Sequence, residues 1–410
     1  MGPIDWKYIL LVGDGMGDYP LPELDGKTPL EAAHTPNMDR LSGCGVMGLV
    51  RTIPEGMEPG SDVANMSLLG YDPRRYHTGR APIEAASMNV QLAPDEVALR
   101  CNLVNLETNA AGAITMADYS AGHISTGEAH ELVASLQLAV SGLPLRLYPG
   151  VSYRHLLVWS GGRIDLDTTP PHDITGEPIA GYQKVYYEEQ VLLVFMNRAH
   201  DILLEHPVNK ARQAEGKRPA NAVWLWGQGK APSMPTLSER YGLSGVMISA
   251  VDLLKGLGVC AGLTPVAVPG ATGYLDTNYA GKVAAALQAL STGNFVYVHI
   301  EAPDEAGHEG SLAKKIQAIE AFDAQVVGPV VEGARGFPNV RLLVVTDHLT
   351  PISKRTHVND PVPYVLIRDL HEDLRVRPNS AAAFCERTAQ GSNRPLVDGV
   401  ALFEAFVSAS

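Results

Sequence analysis

Three short stretches of this chain combine aspartate and histidine at spacings that suit a divalent cation. Asp304-Glu305-Ala306-Gly307-His308 sets an aspartate and a histidine four residues apart, so on one helical turn both side chains point the same way and can reach one ion. Thr346-Asp347-His348 places the same two residue types side by side, and Thr356-His357-Val358-Asn359-Asp360-Pro361-Val362-Pro363 adds another imidazole. With Asp14, from Gly13-Asp14-Gly15-Met16-Gly17, the set holds three aspartates and three histidines. That is enough for two divalent sites with positions left open. Carboxylate and imidazole without thiolate favour manganese, zinc or magnesium over copper. An isolated strand-end aspartate ordinarily caps a helix or turns a loop, and a lone histidine is ordinarily a satisfied surface or core residue. Three such clusters in one chain point instead to a metal centre.

A metal centre of this kind needs a group between its ions. Pro59-Gly60-Ser61-Asp62 leads into Val63-Ala64-Asn65-Met66, which puts Ser61 where a helix N-cap is expected. A capping serine accepts a backbone N–H bond and does no chemistry. The same position also aims helix N–H groups at a phosphate carried on the serine oxygen, and adjacent metals would make its alkoxide accessible. Competing motifs fail. Gly13 to Asp18 carries an aspartate where G-x-G-x-x-G needs its third glycine, which argues against NAD, and Gly26-Lys27-Thr28 has Leu21 where a P-loop needs its first glycine. No G-x-S-x-G elbow surrounds Ser61, against an α/β-hydrolase.

Strands must deliver these groups to one place. Tyr8 to Val12 is a compact apolar run that breaks at Gly13-Asp14, and Phe295 to Ile300 and Arg341 to Thr346 repeat the pattern, each stopping just before an acidic residue. The pattern predicts three strands carrying carboxylates to one rim. Between the last two, Ser311 to Glu332 reads as one amphipathic helix, with Ala313, Ile316, Ile319 and Phe322 near helical spacing. Strand, helix, strand implies a parallel sheet, whose ligands gather beyond the carboxyl ends of its strands. The middle of the chain differs: Val90 to Glu107 and Gly150 to Leu166 look strand-like, and Ser125 to Ser141 looks helical. The fold class is therefore read as α/β, a core with a mostly parallel sheet interrupted by a smaller inserted α+β domain. Residues 1–87 and 231–410 are assigned to the core and 88–230 to the insertion, with crossings near Ala85 to Pro94 and Gln228 to Pro235. The segment from His206 to Gly229 is read as a packed connection between the two.

Bulk properties agree with such an enzyme. At 410 residues the chain exceeds what one hydrophobic core usually organises, and with 45% hydrophobic and 19% charged residues it is that of an ordered globular protein. A net charge of -13 argues against a nucleic-acid partner. A small anionic substrate would therefore need positive charge concentrated locally, from metals or a few basic residues. Cys44, Cys101, Cys260 and Cys385 are scattered without a C-x-x-C pair, as expected of thiols in a reducing compartment. No apolar stretch approaches the ~20 residues of a membrane span. A cytoplasmic location without a membrane partner is expected.

Further motifs carry a family resemblance. Gly13-Asp14-Gly15-Met16-Gly17-Asp18, Gly26-Lys27-Thr28-Pro29-Leu30-Glu31-Ala32-Ala33, Pro59-Gly60-Ser61-Asp62, Leu69-Gly70-Tyr71-Asp72-Pro73 and Thr78-Gly79-Arg80 stand in the first part of the chain. Gly270-Ala271-Thr272-Gly273-Tyr274-Leu275-Asp276-Thr277-Asn278-Tyr279 precedes the Asp304, Asp347 and His357 clusters. Together these resemble the archaeal-type branch of cofactor-independent phosphoglycerate mutases, within the alkaline phosphatase superfamily. The resemblance implies an alkaline-phosphatase-like core interrupted by a substrate-binding cap. It implies that Asp14, Ser61, Asp347 and His348 surround one metal while Asp304, His308 and His357 hold the other, with Ser61 the phosphorylated nucleophile. The implied reaction moves a phosphoryl group between 3-phosphoglycerate and 2-phosphoglycerate through that serine, without 2,3-bisphosphoglycerate, under a cap that excludes water. Basic residues must then hold the carboxylate and phosphate. The candidates are His123, Arg154, His155 and His172 in the insertion, with Asp173 as an orienting partner, and Arg80 and Lys282 near the core. At His123 the chain departs from the branch, where an arginine is expected, and an imidazole clamps a carboxylate less well than a guanidinium. A homoserine kinase-like phosphotransferase and a metal-dependent phosphomonoesterase remain alternatives on the same core. A metal-binding regulatory protein without catalysis would have no need of Ser61.

Overall fold

The three apolar runs that stop at acidic residues form neighbouring strands of one sheet. In chain order the strands are β1 (Lys7–Gly13), β2 (Val46–Arg51), β3 (Glu96–Thr108), β4 (Ile114–Asp118), β5 (Leu145–Tyr148), β6 (Arg154–Ser160) and β7 (Ala222–Gly229). They continue with β8 (Gly245–Ile248), β9 (Thr264–Pro265), β10 (Phe295–Ile300), β11 (Val340–Val345), β12 (Val362–Ile367) and β13 (Val397–Asp398). The computed structural model describes residues 6–376, 379 and 382–408. The chain divides into two units, one of Met1–His77 with Ser233–Ser410 and one of Thr78–Pro232.

The first unit is built on an eight-stranded sheet in the order β13-β2-β12-β11-β1-β10-β8-β9. β1 lies parallel between β10 and β11, with Gly13 opposite Ile300 and Val12 opposite both His299 and Val345. β12 alone runs against its neighbours. Ile9, Val12, Val296, Val298, Val344 and Val345 have no exposed surface, as befits β-branched residues in a parallel sheet covered on both faces. The α/β class read from the strand-end pattern is the one observed. The expected single helix over 311–332 is instead two α-helices, Leu312–Phe322 and Gly328–Ala334, joined by a π turn at Asp323–Val327. The widened turn falls where the buried Asp323 carboxylate receives the backbone N–H groups of Asn37 (3.2 Å) and Met38 (2.7 Å), a tie that a hydrophobic period does not reveal.

The second unit holds an antiparallel sheet ordered β4-β3-β6-β5, with β7 on the other side of β3. Leu132, Val133 and Leu136 of helix Thr126–Val140 and Phe195, Ala199 and Leu203 of helix Gln190–Glu205 pack on it in one core. Helix Arg80–Ser87 belongs here, ahead of the expected crossing, because Ala81 and Ala85 pack against Ala98, Leu156 and Val158. The segment from His206 to Gly229 is not a connection between units. It forms helix Pro207–Ala214 and strand β7, which pairs with β3 and whose Trp224 is fully buried and donates its indole N–H to the Thr169 carbonyl at 2.8 Å. The strand-like stretch over 150–166 narrows to β6, and that over 90–107 begins as a strand only at Glu96. Among the described residues no helix is long and apolar enough to cross a membrane.

Candidate metal centre

Because β1, β10 and β11 are adjacent and parallel, their carboxyl ends bring together residues from three distant parts of the sequence. Asp14 follows β1 and is fully buried, as are Asp347 and His348 after β11. His348 Nε2 lies 3.3 Å from Asp14 Oδ1, 3.5 Å from Asp347 Oδ2 and 3.2 Å from Ser61 Oγ. Ser61 is not the expected N-cap. Gly60 occupies that position with extended backbone and Ser61 is the first residue of helix Ser61–Leu68, so its hydroxyl is not spent on capping. Burial holds the His348 imidazole down to about 4, hence neutral at physiological pH and able to offer a lone pair. Burial also raises the Asp14 carboxyl, reinforced by the charges of Asp347, Asp304 and Glu301.

Helix Ala302–Glu309 carries the second group. Asp304 Oδ2 is 3.1 Å from His308 Nε2, Asp304 Oδ1 is 3.3 Å from His357 Nε2, and the two imidazole Nε2 atoms are 2.9 Å apart. Two ring nitrogens come this close only with a proton or a cation between them. Burial acts to raise Asp304, but the imidazoles of His308 and His357 outweigh it and hold the carboxyl well below its usual range. The rings of His348 and His357 lie 4.0 Å apart, centroid to centroid, so the two groups are contiguous. Asp14, Asp347 and His348 converge closely enough to bind one ion, as do Asp304, His348 and His357. Both Asp14 oxygens are buried without a hydrogen-bond partner, a costly state that bound cations would relieve. The residues therefore fit divalent metals.

Supporting residues escaped the sequence reading. Asn65 donates to the Ser61 carbonyl at 2.7 Å and to Asp347 Oδ2 at 2.8 Å, and accepts from the Tyr297 hydroxyl. Thr350 donates to Asp304 Oδ1. Lys315, fully buried, donates to Asp18 Oδ2 at 2.9 Å and to the carbonyls of Gly17 at 3.0 Å and Thr350 at 2.7 Å, pinning the loop after β1 to the loop after β11. Lys282, which the sequence reading did name as a substrate-binding candidate, is also buried, and its amine is committed to the His299 carbonyl at 3.1 Å.

A family model described as 2,3-bisphosphoglycerate-independent phosphoglycerate mutase matches residues 43–209. The chain is 50% identical over 399 residues, 97% of its length and 98% of the relative's, to a probable 2,3-bisphosphoglycerate-independent phosphoglycerate mutase of Geobacter sulfurreducens. It is 51% identical over 403 residues, 98% of its length and 100% of the relative's, to the 2,3-bisphosphoglycerate-independent phosphoglycerate mutase of Methanothrix thermoacetophila. The chain belongs to this mutase family. Among solved structures it superposes on a Pyrococcus horikoshii protein with TM-score 0.79 and on a cofactor-independent phosphoglycerate mutase of Thermoplasma acidophilum with TM-score 0.63, each at 28% identity and 98% coverage of both chains. The resemblance carried by the sequence motifs is thereby borne out.

In this member of the mutase family, the basic residues expected to bind substrate are spread through the second unit, except Lys282, which lies in the first. His123 is exposed in a left-handed turn (φ 49°). His155 is buried and neutral, held down to about 3 by burial and then by His130, and its Nδ1 accepts from the Gly150 N–H at 3.0 Å. His172 faces Trp226 with ring centroids 5.5 Å apart and lies 3.6 Å from Asp173 Oδ1. Arg154 starts β6 and lies over the Tyr153 ring. Arg80 opens helix Arg80–Ser87, 3.8 Å from Glu84 Oε1. The sequence reading passed over Arg100, a buried arginine within β3 that stacks 4.2 Å from the Trp226 ring and pairs with Glu84 Oε2 at 2.9 Å. Burial holds its guanidinium down to about 10 against the pull of Glu84, and the charges of Arg80 and Arg154 add to that effect. The signal was present: an arginine inside the apolar run Val97-Ala98-Leu99-Arg100-Cys101.

Proposed function

We propose that the chain interconverts 3-phosphoglycerate and 2-phosphoglycerate through a phosphoserine at Ser61, without 2,3-bisphosphoglycerate and with two divalent cations. The observation that carries the reading is the uncapped Ser61 hydroxyl, 3.2 Å from His348 and beside buried aspartates, in a chain half identical to named mutases along almost its whole length. Asp14, Ser61, Asp347 and His348 would hold one cation and Asp304, His308 and His357 the other. Bound divalent cations, manganese, zinc or magnesium by ligand type, supply charge that stabilises the transferring oxygens and makes the serine alkoxide accessible.

The rest follows from the chain's own residues. Ser61 Oγ attacks phosphorus, the new O–P bond forms as the bond to the substrate's 3-oxygen breaks, and the 2-hydroxyl later takes the group back. The N–H groups at the start of helix Ser61–Leu68 would face an anion carried on Ser61. Asn65 holds that turn to Asp347, so nucleophile and carboxylate move together. Arg80, Arg100 and Arg154, with His172, are the groups of the second unit suited to a glycerate carboxylate, and that unit would act as the cap. A reducing, cytoplasmic setting suits four cysteines none of which forms a disulfide.

The test is phosphorus NMR of metal-loaded protein given 3-phosphoglycerate and, separately, homoserine with ATP. Formation of 2-phosphoglycerate is the expected outcome, and Ser61→Ala should reduce it by about 10³-fold or more with the fold retained. Full turnover by Ser61→Ala would sink the nucleophile assignment. Free phosphate alone from the wild type would make it a phosphomonoesterase, and phosphohomoserine a kinase.

A further inference from the structure

The two-cation reading uses one side of Asp14 only. Asp14 Oδ1 faces His348, but Asp14 Oδ2 is turned to a different imidazole, with His299 Nε2 2.9 Å away. Both residues are fully buried, and neither Asp14 Oδ2 nor His299 Nε2 makes a hydrogen bond despite the short separation. If Nε2 carries a proton, that proton is misdirected and unsatisfied. If it carries a lone pair, the pair is pressed against a carboxylate oxygen. Either state is costly for groups this deeply buried. The other ring nitrogen has a partner of its own: His299 Nδ1 lies 3.3 Å from Ser249 Oγ, and a proton shared there leaves the lone pair on Nε2. Glu301 Oε2 is itself buried without a hydrogen-bond partner, and Asp14, His299 and Glu301 each bring a ligand atom within 4.8 Å of the others. Two donors about 2.1 Å from one cation and at right angles are about 3.0 Å apart, which is the Asp14 to His299 spacing.

We propose that Asp14, His299 and Glu301 form a third divalent-cation site, sharing Asp14 with the group around His348. The donor set is two carboxylates and one imidazole, suited to manganese, zinc or magnesium with water in the remaining positions. Charge argues the same way. Asp14, Glu301, Asp304 and Asp347 crowd one rim, whereas the nearby Lys282 gives its amine to the His299 carbonyl. The proposal rests on the metal-dependent reading of the centre, and its test separates the two.

Full-length protein is stripped with chelator, reloaded with manganese, freed of excess and assayed for metal per chain. Crystals of the same material are measured for anomalous scattering at the manganese edge. Three ions per wild-type chain are expected, with one anomalous peak within bonding distance of His299 Nε2, and Glu301→Gln should lose that peak and one ion while keeping the others. His299→Gln provides a second variant should the first fold poorly. Two ions in the wild type and no peak beside His299 would overturn the third site and leave the two-cation centre standing. Three ions in the wild type and in both variants would also overturn it. Absence of bound metal would overturn both readings.

Discussion

The tightest constraint at the centre falls on a residue with no side chain. Gly15 adopts φ 61°, and a Cβ placed there would lie 2.6 Å from Thr350 Oγ1 and 2.7 Å from Asp304 Oδ1. Left-handed backbone and close approach both demand glycine. Gly15→Ala is expected to cost about 1–3 kcal/mol of stability and, by pushing Asp304 aside, to weaken manganese binding and lower kcat/KM at least about tenfold. Unchanged manganese affinity, measured by titration calorimetry, would show that Asp304 is not held by this contact. Asn65→Ala removes both anchors between the Ser61 turn and Asp347, and a loss of about 1–3 kcal/mol is expected. Its signature should be a fall in kcat with little change in KM, since Asn65 touches the reacting groups' supports and not the glycerate. The sequence made the aspartates and histidines legible because each stands within a short motif, Asp14, Asp347 and His348 just past strand ends. Asn65, Thr350 and His299 were not: Asn65 looks like any polar residue in a first helical turn, and His299 looks like a core histidine in an apolar strand. Only the pairing of β1 with β10 and β11 gives them partners.

Among the elements, helix Thr126–Val140 shows a device whose contribution can be titrated. Ser125 and Glu128 form a capping box, and Arg212 Nη1 lies 2.9 Å from Glu128 Oε2. Although burial acts to raise it, the bonds from Ser125 and Arg212 hold the Glu128 carboxyl below its ordinary value. A carboxylate lowered on folding stabilises the protein above its unfolded pKa and loses that contribution as pH falls through the folded one. Glu128→Gln should therefore cost about 1 kcal/mol at pH 7, solvent screening considered. Urea denaturation should show the gap between wild type and variant closing as the pH is taken from 7 to below the ordinary glutamate range. A gap of equal size at both pH values would mean that charge is not its source. The strands of the core were readable because a buried parallel strand is a continuous apolar run bounded by turns. The break at Asp323–Val327 was not, because the hydrophobic period continues through it while the backbone widens to accommodate an aspartate serving another helix.

Across the whole molecule, the two units carry separate cores, one around Phe322, Val298 and Val344 and one around Phe195, Leu132 and Leu225. Metal would stabilise only the unit that binds it, by about 2.7 kcal/mol for free metal at a hundred times its dissociation constant. Chelation should abolish turnover and lower the melting transition of the first unit, with activity restored by manganese or zinc. Hydrogen exchange should quicken at residues 13–18, 61–68, 301–309 and 346–358, while β3 in the second unit keeps its protection. Equal loosening of β3 would show that metal acts on the molecule as a whole.

The register of β1 also governs the order in which the chain can be finished. Its strand partners begin at Phe295 and Val340, so the apolar run Tyr8 to Val12 leaves the ribosome about 290 residues before its first neighbour and more than 330 before its second. At ~5–20 residues per second that is a wait on the order of 15 to 60 seconds. The second unit, whose strands lie between residues 96 and 229, can complete its own sheet during that interval. The nascent β1 must meanwhile be shielded, which makes residues 7–13 a natural docking point for a chaperone that recognises short extended apolar segments. Ribosome profiling of chaperone-bound nascent chains should find occupancy beginning soon after this segment emerges and ending only once β10 and β11 are available.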